Sequence, residues 1–301
     1  MSVAPQCVPI VLSGYIPGIN AFQTLGIDQS RLQAQYPGGA FIDQVRFKVP
    51  DGIYILDLQA ELKINDIPIT RNFVPMSAFG KSHTYEDNRT SPTTMVFNWK
   101  LKKPLYLRSG EVLTVSIQNA SIDFDTAISE MIEVTYIGRG IMNKDYENAI
   151  IDGQVKTYRP WVTAFIGVRR ELGTSDFTDR STETDLKNPF DVPMLVEHFV
   201  GRMSIDGMDP NYQGGTSGIG SDAYLGYTFC RMWDSASKII VRDPTPFGHL
   251  FHMSNKIWTV NSILPPKGFY IIDLDEQVSV VDDADFMTPI VSMVGYREVQ
   301  R

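Results

Sequence analysis

The chain has 301 residues, 43% of them apolar and 21% charged, with a formal net charge of −8. Those totals exclude a disordered chain and leave room for one large all-β unit or two domains of ordinary size. The acidic balance argues against binding to a phosphate backbone, since basic residues gather only in pairs such as Lys102 with Lys103 and Arg169 with Arg170.

Residues 1–35 come first. They are apolar but lack a basic leader, and Pro5, Pro9, Gly14, Pro17 and Gly18 interrupt them. The longest apolar run there, Ile10 to Leu12, is far too short to span a bilayer. No signal peptide or membrane span is expected. The segment reads as an extended N-terminal arm that finds cover on its own domain or on a neighbouring subunit, with a short helix over 28–35 capped by Asp28.

Strand periodicity dominates the rest of the chain. Leu56, Leu58, Ala60, Leu62 and Ile64 alternate with Asp57, Gln59, Glu61 and Lys63. Leu113, Val115 and Ile117 alternate in the same way, as do Ile132, Val134 and Tyr136. A period of two places one face in a core and the other in water. Turn formers separate the runs at Pro50-Asp51-Gly52, Ser109-Gly110 and Pro265-Pro266-Lys267-Gly268. A second short helix is expected over 143–151, capped by Asn143. Residues 173–193 and 206–222 are polar, rich in glycine and proline and aperiodic, and they read as long loops on a β frame. The class is antiparallel all-β.

One phrase occurs twice. WKLKKPLYLRSGEVLTVSI runs from Trp99, and WTVNSILPPKGFYIIDL runs from Trp258. Trp99 and Trp258 lie 159 positions apart, Gly110 and Gly268 158, and Gly138 and Gly295 157. The closing phrases are VTYIGRG from Val134 and VSMVGYR from Val291, and Phe79-Gly80 has an echo in Phe247-Gly248. A period of that size is a domain and not a solenoid repeat. The chain therefore reads as an arm over 1–35, a first sandwich over 36–150 and a second over 151–301. Each sandwich has about eight strands, the number for a jelly roll. The recurring tryptophans are expected to anchor the two cores.

A search for chemistry finds no constellation. His249 and His252, at i,i+3 on an expected strand, point to opposite faces and cannot share a metal. His83 and His198 stand alone. The glycine-rich run from Gly214 to Gly220 lacks the lysine of a phosphate-binding loop. The acidic run from Asp282 to Asp285 lacks the spacing of a calcium loop, which leaves a solvated turn as the reading and a bound cation as the alternative. Asn88 and Asn119 match a glycosylation pattern that carries no weight without a secretory signal. Cys7 and Cys230 have no companion ligands and read as free thiols. No catalytic, cofactor-binding or metal residue is assigned, no cofactor is expected, and an enzyme is not the expected function.

The paired phrases and the absence of a site resemble the double jelly-roll major capsid proteins of the virus lineage that includes tailless bacteriophages with an internal membrane. The resemblance covers the whole chain as architecture. It implies a homotrimer whose six similar blocks make a pseudo-hexagonal tile of an icosahedral shell. It also implies an N-terminal arm facing inward, toward neighbouring capsomers, minor capsid proteins or a membrane, and outward loops that include 206–222. The protein would then reside in the virion after synthesis in the host cytoplasm, with no sequence-specific contact to nucleic acid. The alternatives are another head-decoration, tail or adaptor sandwich of a phage, and a two-domain carbohydrate-binding or adhesion module.

Overall fold

The computed structural model describes residues 5–16, 23–26, 36–49, 58–79, 81–85, 94–119, 132–168, 170–171, 177–206, 228–251, 257–276 and 286–299. They divide into two compact units. The first is drawn from Met1–Pro50, Asp57–Trp161 and Tyr296–Arg301, the second from Val162–Gly295. The chain thus crosses from one to the other after Trp161, eleven residues beyond the boundary expected at 150, and its last residues return to the first unit.

The first unit holds β1 (Cys7–Ile16), β2 (Gln23–Gly26), β3 (Ala40–Val49), β4 (Leu58–Ile64), β5 (Ile67–Pro68), β6 (Val74–Pro75), β7 (Lys81–Tyr85), β8 (Thr94–Leu107), β9 (Leu113–Asn119) and β10 (Ile132–Ile141). One sheet runs β1-β10-β3-β8, with β7 added on β8, and the other runs β2-β9-β4-β5, with β6 added on β4. Within the segment expected as an arm, Cys7–Ile16 is β1, paired with β10 from Cys7↔Ile141 to Ile16↔Ile132. Pro9 and Gly14 hide this strand from a propensity reading, yet both are tolerated on a strand at a sheet edge. The alternation read from the sequence is realised inside the sandwich: Ala60, Leu62 and Ile64 of β4, Leu113, Val115 and Ile117 of β9, and Ile132, Val134 and Tyr136 of β10 are all buried.

Helix α1 (Lys144–Ile151) starts where its cap residue predicts, with Asn143 Oδ1 accepting from the Asp145 backbone N–H at 2.9 Å. Its Tyr146 and Ile150 pack on Tyr106 and Ile141, with Phe41, Cys7 and Val155 alongside. The helix expected over 28–35 lies outside the described residues.

The second unit holds β11 (Tyr158–Ile166), β12 (Arg170–Glu171), β13 (Phe177–Arg180), β14 (Leu186–Lys187), β15 (Met194–Asp206), β16 (Thr228–Asp234), β17 (Ile239–Pro246), β18 (Ile257–Leu264), β19 (Phe269–Glu276) and β20 (Phe286–Glu298). The division between units falls inside β11 and inside β20. Its sheets run β11-β20-β15-β18 and β13-β19-β16-β17, with β12 added on β20 and β14 on β19. Residues 173–193, expected as a loop, therefore contain two short strands on β19. Their polar residues close a turn: the Thr182 N–H donates to Asp185 Oδ2 at 2.7 Å, and the Ser181 N–H to the Ile272 carbonyl at 2.9 Å.

Leaving out β6, β7, β12 and β14, the principal strands can be ranked one to eight along each unit. Both units then read 1-8-3-6 in one sheet and 2-7-4-5 in the other. This is the jelly-roll order, twice in one chain, and the fold is two consecutive eight-stranded jelly rolls.

The repeated phrases occupy the same ranks. Trp99 lies on β8 and Trp258 on β18, both sixth strands. A helical turn precedes each: a 3-10 turn at Met76–Phe79, and α2 (Phe247–Leu250). In the first unit Phe79 lies 5.3 Å from the rings of both Trp99 and Phe47. In the second, Trp258 stacks on Phe199 at 5.6 Å and meets Phe251 edge-on at 6.5 Å, with Phe247 a further 4.6 Å from Phe251. Trp99 is 2% exposed, whereas Trp258 is only half-buried, so the two anchors are equivalent in place but not in depth. The turns before the seventh strands match too. Glu111 N–H donates to Arg108 O and Gly268 N–H to Pro265 O, both at 3.0 Å. The left-handed third position is Gly110 (φ 89°) in one and Lys267 (φ 59°) in the other.

Candidate functional site

The histidines do not converge. His198 is buried on β15, its Nδ1 3.7 Å from the carboxylate of neighbouring Glu197. His249 is exposed on α2, a helical turn and not the strand expected for it, because Phe251 N–H closes that turn onto the Phe247 carbonyl at 2.9 Å. His83 lies on β7, and His252 lies outside the described residues, as do Gly214 to Gly220, Asp282 to Asp285 and Asn88. Asn119 ends β9. Among the described residues no three His, Cys, Asp or Glu side chains gather as a metal site. Cys7 and Cys230 are free thiols, and burial pushes the Cys230 thiol up to about 12. Burial likewise drives the Tyr136 hydroxyl above its ordinary range. Among the described residues no helix is long and apolar enough to cross a membrane.

What the frame does present is surface. β1 ends one sheet of the first unit and β18 ends one sheet of the second. Each carries an outward apolar side chain, Val11 at 65% exposure and Ile263 at 73%. Ile239 on β17, the end strand of the other sheet in the second unit, is also exposed. Sheet-end strands with exposed apolar side chains invite strand pairing or coverage by another chain.

The outer face of the second unit's 2-7-4-5 sheet is more elaborate. Arg180 of β13 and Arg231 of β16 face Asp273 and Asp275 of β19 at 3.5 and 3.6 Å, and Thr178 Oγ1 donates to Asp275 at 3.0 Å. Burial raises the Asp273 carboxyl pKa, opposed by Arg180. The Arg180 guanidinium lies 4.9 Å over the Trp233 ring. Beside this stack opens a cleft of about 530 Å³, lined by Trp233, Phe269 and the nearly buried Ile271 and by two polar turns, Ser181 to Glu183 and Asp234 to Ser237. Nothing in the sequence joined Arg180 to Trp233. They are 53 positions apart, and only the pairing of β13 and β16 on either side of β19 brings them together.

No family model matches the sequence, and no curated protein does. The fold is similar to the crystal structure of PBCV-1 VP54 fitted into a cryo-EM reconstruction of the virophage Sputnik. Identity there is 8%, the match covers 100% of this chain and 96% of that one, and the TM-score is 0.52. The atomic structure of Sulfolobus Turreted Icosahedral Virus is similar over 95% of this chain and 90% of that one, at 9% identity and a TM-score of 0.51. The Faustovirus major capsid protein matches at 7% identity over 99% and 91%, with a TM-score of 0.49. Identities this low speak to the fold and not to shared residues.

Proposed function

We propose that this chain is a structural virion protein, a major capsid protein that assembles as a homotrimer into an icosahedral shell. The observation that carries the reading is the double occurrence of one strand order, 1-8-3-6 with 2-7-4-5, in a single chain. Its fold likeness to PBCV-1 VP54 and to the structure of Sulfolobus Turreted Icosahedral Virus supports it. Three such chains supply six similar blocks, so a threefold assembly presents six similar sides to its neighbours. Closed symmetric oligomers are the common outcome for identical subunits. The exposed side chains of the edge strands, Val11 and Ile263, are the kind that subunit contacts cover, and obligate interfaces of this type bury upwards of about 2,000 Å² with apolar cores.

In this reading the partners are other copies of the chain and neighbouring capsomers. Minor capsid proteins and an internal membrane would be partners of the N-terminal segment 1–35; most of the outward loop expected over 206–222 lies outside the described residues. The location is the virion, after synthesis in the host cytoplasm. Sedimentation velocity on the purified chain tests the first step. A species of three chains that persists on dilution is expected, and a monomer at every concentration overturns the reading.

A further inference from the structure

The two jelly rolls share a topology, so their outer faces can be compared position by position. In the first unit Leu62 pairs with Val115 and Lys63 with Thr114. In the second Met232 pairs with Ile272 and Trp233 with Ile271. Leu62, Val115, Met232 and Ile272 all point into their cores. Lys63 and Thr114 therefore correspond to Trp233 and Ile271 on the outer faces. The first unit keeps an ordinary solvated face there, with Lys63 paired to Glu61 at 2.7 Å. The second has exchanged a cation and a hydroxyl for an indole and a branched alkane.

The turn beside that pair differs as well. Between β4 and β5 the chain reverses through Asn65 and Asp66 alone, both at positive φ, as a tight hairpin requires. Between β16 and β17 it takes Ser235, Ala236, Ser237 and Lys238. Asp234 Oδ1 fixes this wider turn by accepting from the Ala236 and Lys238 N–H groups at 3.0 and 2.9 Å. That turn is one wall of the cleft. The other is the turn after β13, held by Thr182 and Asp185. Aromatic floor and widened wall are thus two independent departures from the first copy, made at one place.

The geometry points to a saccharide-binding site, and we propose that this cleft holds a neutral hexose or N-acetylhexosamine. Its volume of about 530 Å³ lies within the range of small-molecule sites, about 300–1,000 Å³. A sugar ring has an apolar face of C–H groups and a rim of hydroxyls. The cleft offers the half-buried Trp233 and Phe269 rings, one face of the indole being covered by the Arg180 guanidinium at 4.9 Å, beside a rim of serine, threonine and carboxylate groups. An anionic ligand fits less well: Arg180, the one lining cation among the described residues, already faces Asp273 at 3.5 Å, while Glu183 and Asp234 line the same walls. This inference goes beyond the capsid reading and does not depend on it.

Saturation-transfer NMR with the full chain tests it, with glucose, galactose, N-acetylglucosamine and N-acetylgalactosamine as probes and glucuronate as the anionic control. Saturable binding of at least one neutral sugar is expected, with Kd around 1 mM. Trp233→Ala is expected to weaken it at least tenfold while the chain stays folded by circular dichroism, and Trp233→Phe, which keeps a ring, is expected to retain part of the binding. Lys63→Ala, at the corresponding place in the first unit, is expected to leave binding unchanged. Absence of binding to all four neutral probes, glucuronate binding in their place, or binding that survives Trp233→Ala would each overturn the proposal.

Discussion

Replacing Trp99 by alanine removes the largest fully buried side chain of the molecule's described residues. Burying an aromatic of about 200 Å² at about 25 cal/mol per Å² contributes about 5 kcal/mol. Measured truncations of Phe and Trp in cores cost about 3–5 kcal/mol, because transfer and cavity effects are partly relieved by relaxation. The Trp99 Nε1–H is buried with no hydrogen-bond partner among the described residues, which offsets part of the gain from burial, so about 4 kcal/mol is expected. Trp258 is half-buried, and Trp258→Ala is expected to cost about half as much. Trp99→Phe keeps the ring contact with Phe79 and removes the unpaired N–H, and it should cost about 1–2 kcal/mol. Urea unfolding followed by intrinsic fluorescence and by circular dichroism measures all three variants. A Trp99→Ala loss below 1 kcal/mol, or a larger loss for Trp258→Ala than for Trp99→Ala, would refute the assignment of these residues as anchors of unequal depth.

The same geometry sets four further expectations. Gly110→Ala forces a Cβ into the left-handed region at φ 89° and is expected to cost about 1–2 kcal/mol by thermal melting; an unchanged melt would contradict the turn. Deleting residues 1–16 removes β1 and its ten pairings with β10, so loss of the fold is expected in circular dichroism, in contrast to the harmless removal of a loose arm. The Cys230 thiol, pushed up to about 12, stays protonated in the folded chain while its unfolded counterpart ionises above about 9. Stability from this group is therefore present below pH 9 and lost as pH rises from there, and Cys230→Ala should flatten that part of the pH–stability curve. Neutralising the exposed Arg139–Asp43 pair, whose bonds are 2.9 and 3.0 Å, should change stability by less than about 1 kcal/mol.

The duplication was legible because it lies in strands six to eight, where inward alternation constrains every second residue. Gly138 recurs for a physical reason, since a Cβ there would sit 2.0 Å from the Phe41 carbonyl oxygen; at Gly295 the constraint is looser, 2.9 Å to the flexible Met194 Sδ and 3.1 Å to the Leu195 carbonyl oxygen. The Trp99 and Trp258 phrases recur because each ring closes an aromatic cluster under its sixth strand. The glycines of the two turns do not occupy the same position, since the left-handed residue matching Gly110 is Lys267 and not Gly268. β1 was hidden by Pro9, and β13 by the polar residues around it, because edge and outer-sheet strands need little hydrophobic alternation. The cleft at Trp233 was invisible for a different reason. It depends on pairing between strands distant in sequence, and no local pattern encodes it.

Class averages of the purified assembly in negative stain would weigh most on the central claim. A tile with threefold symmetry and six lobes of similar size is predicted, each lobe one jelly roll. Particles with three lobes, or with six-fold contacts made by six separate chains, would contradict it.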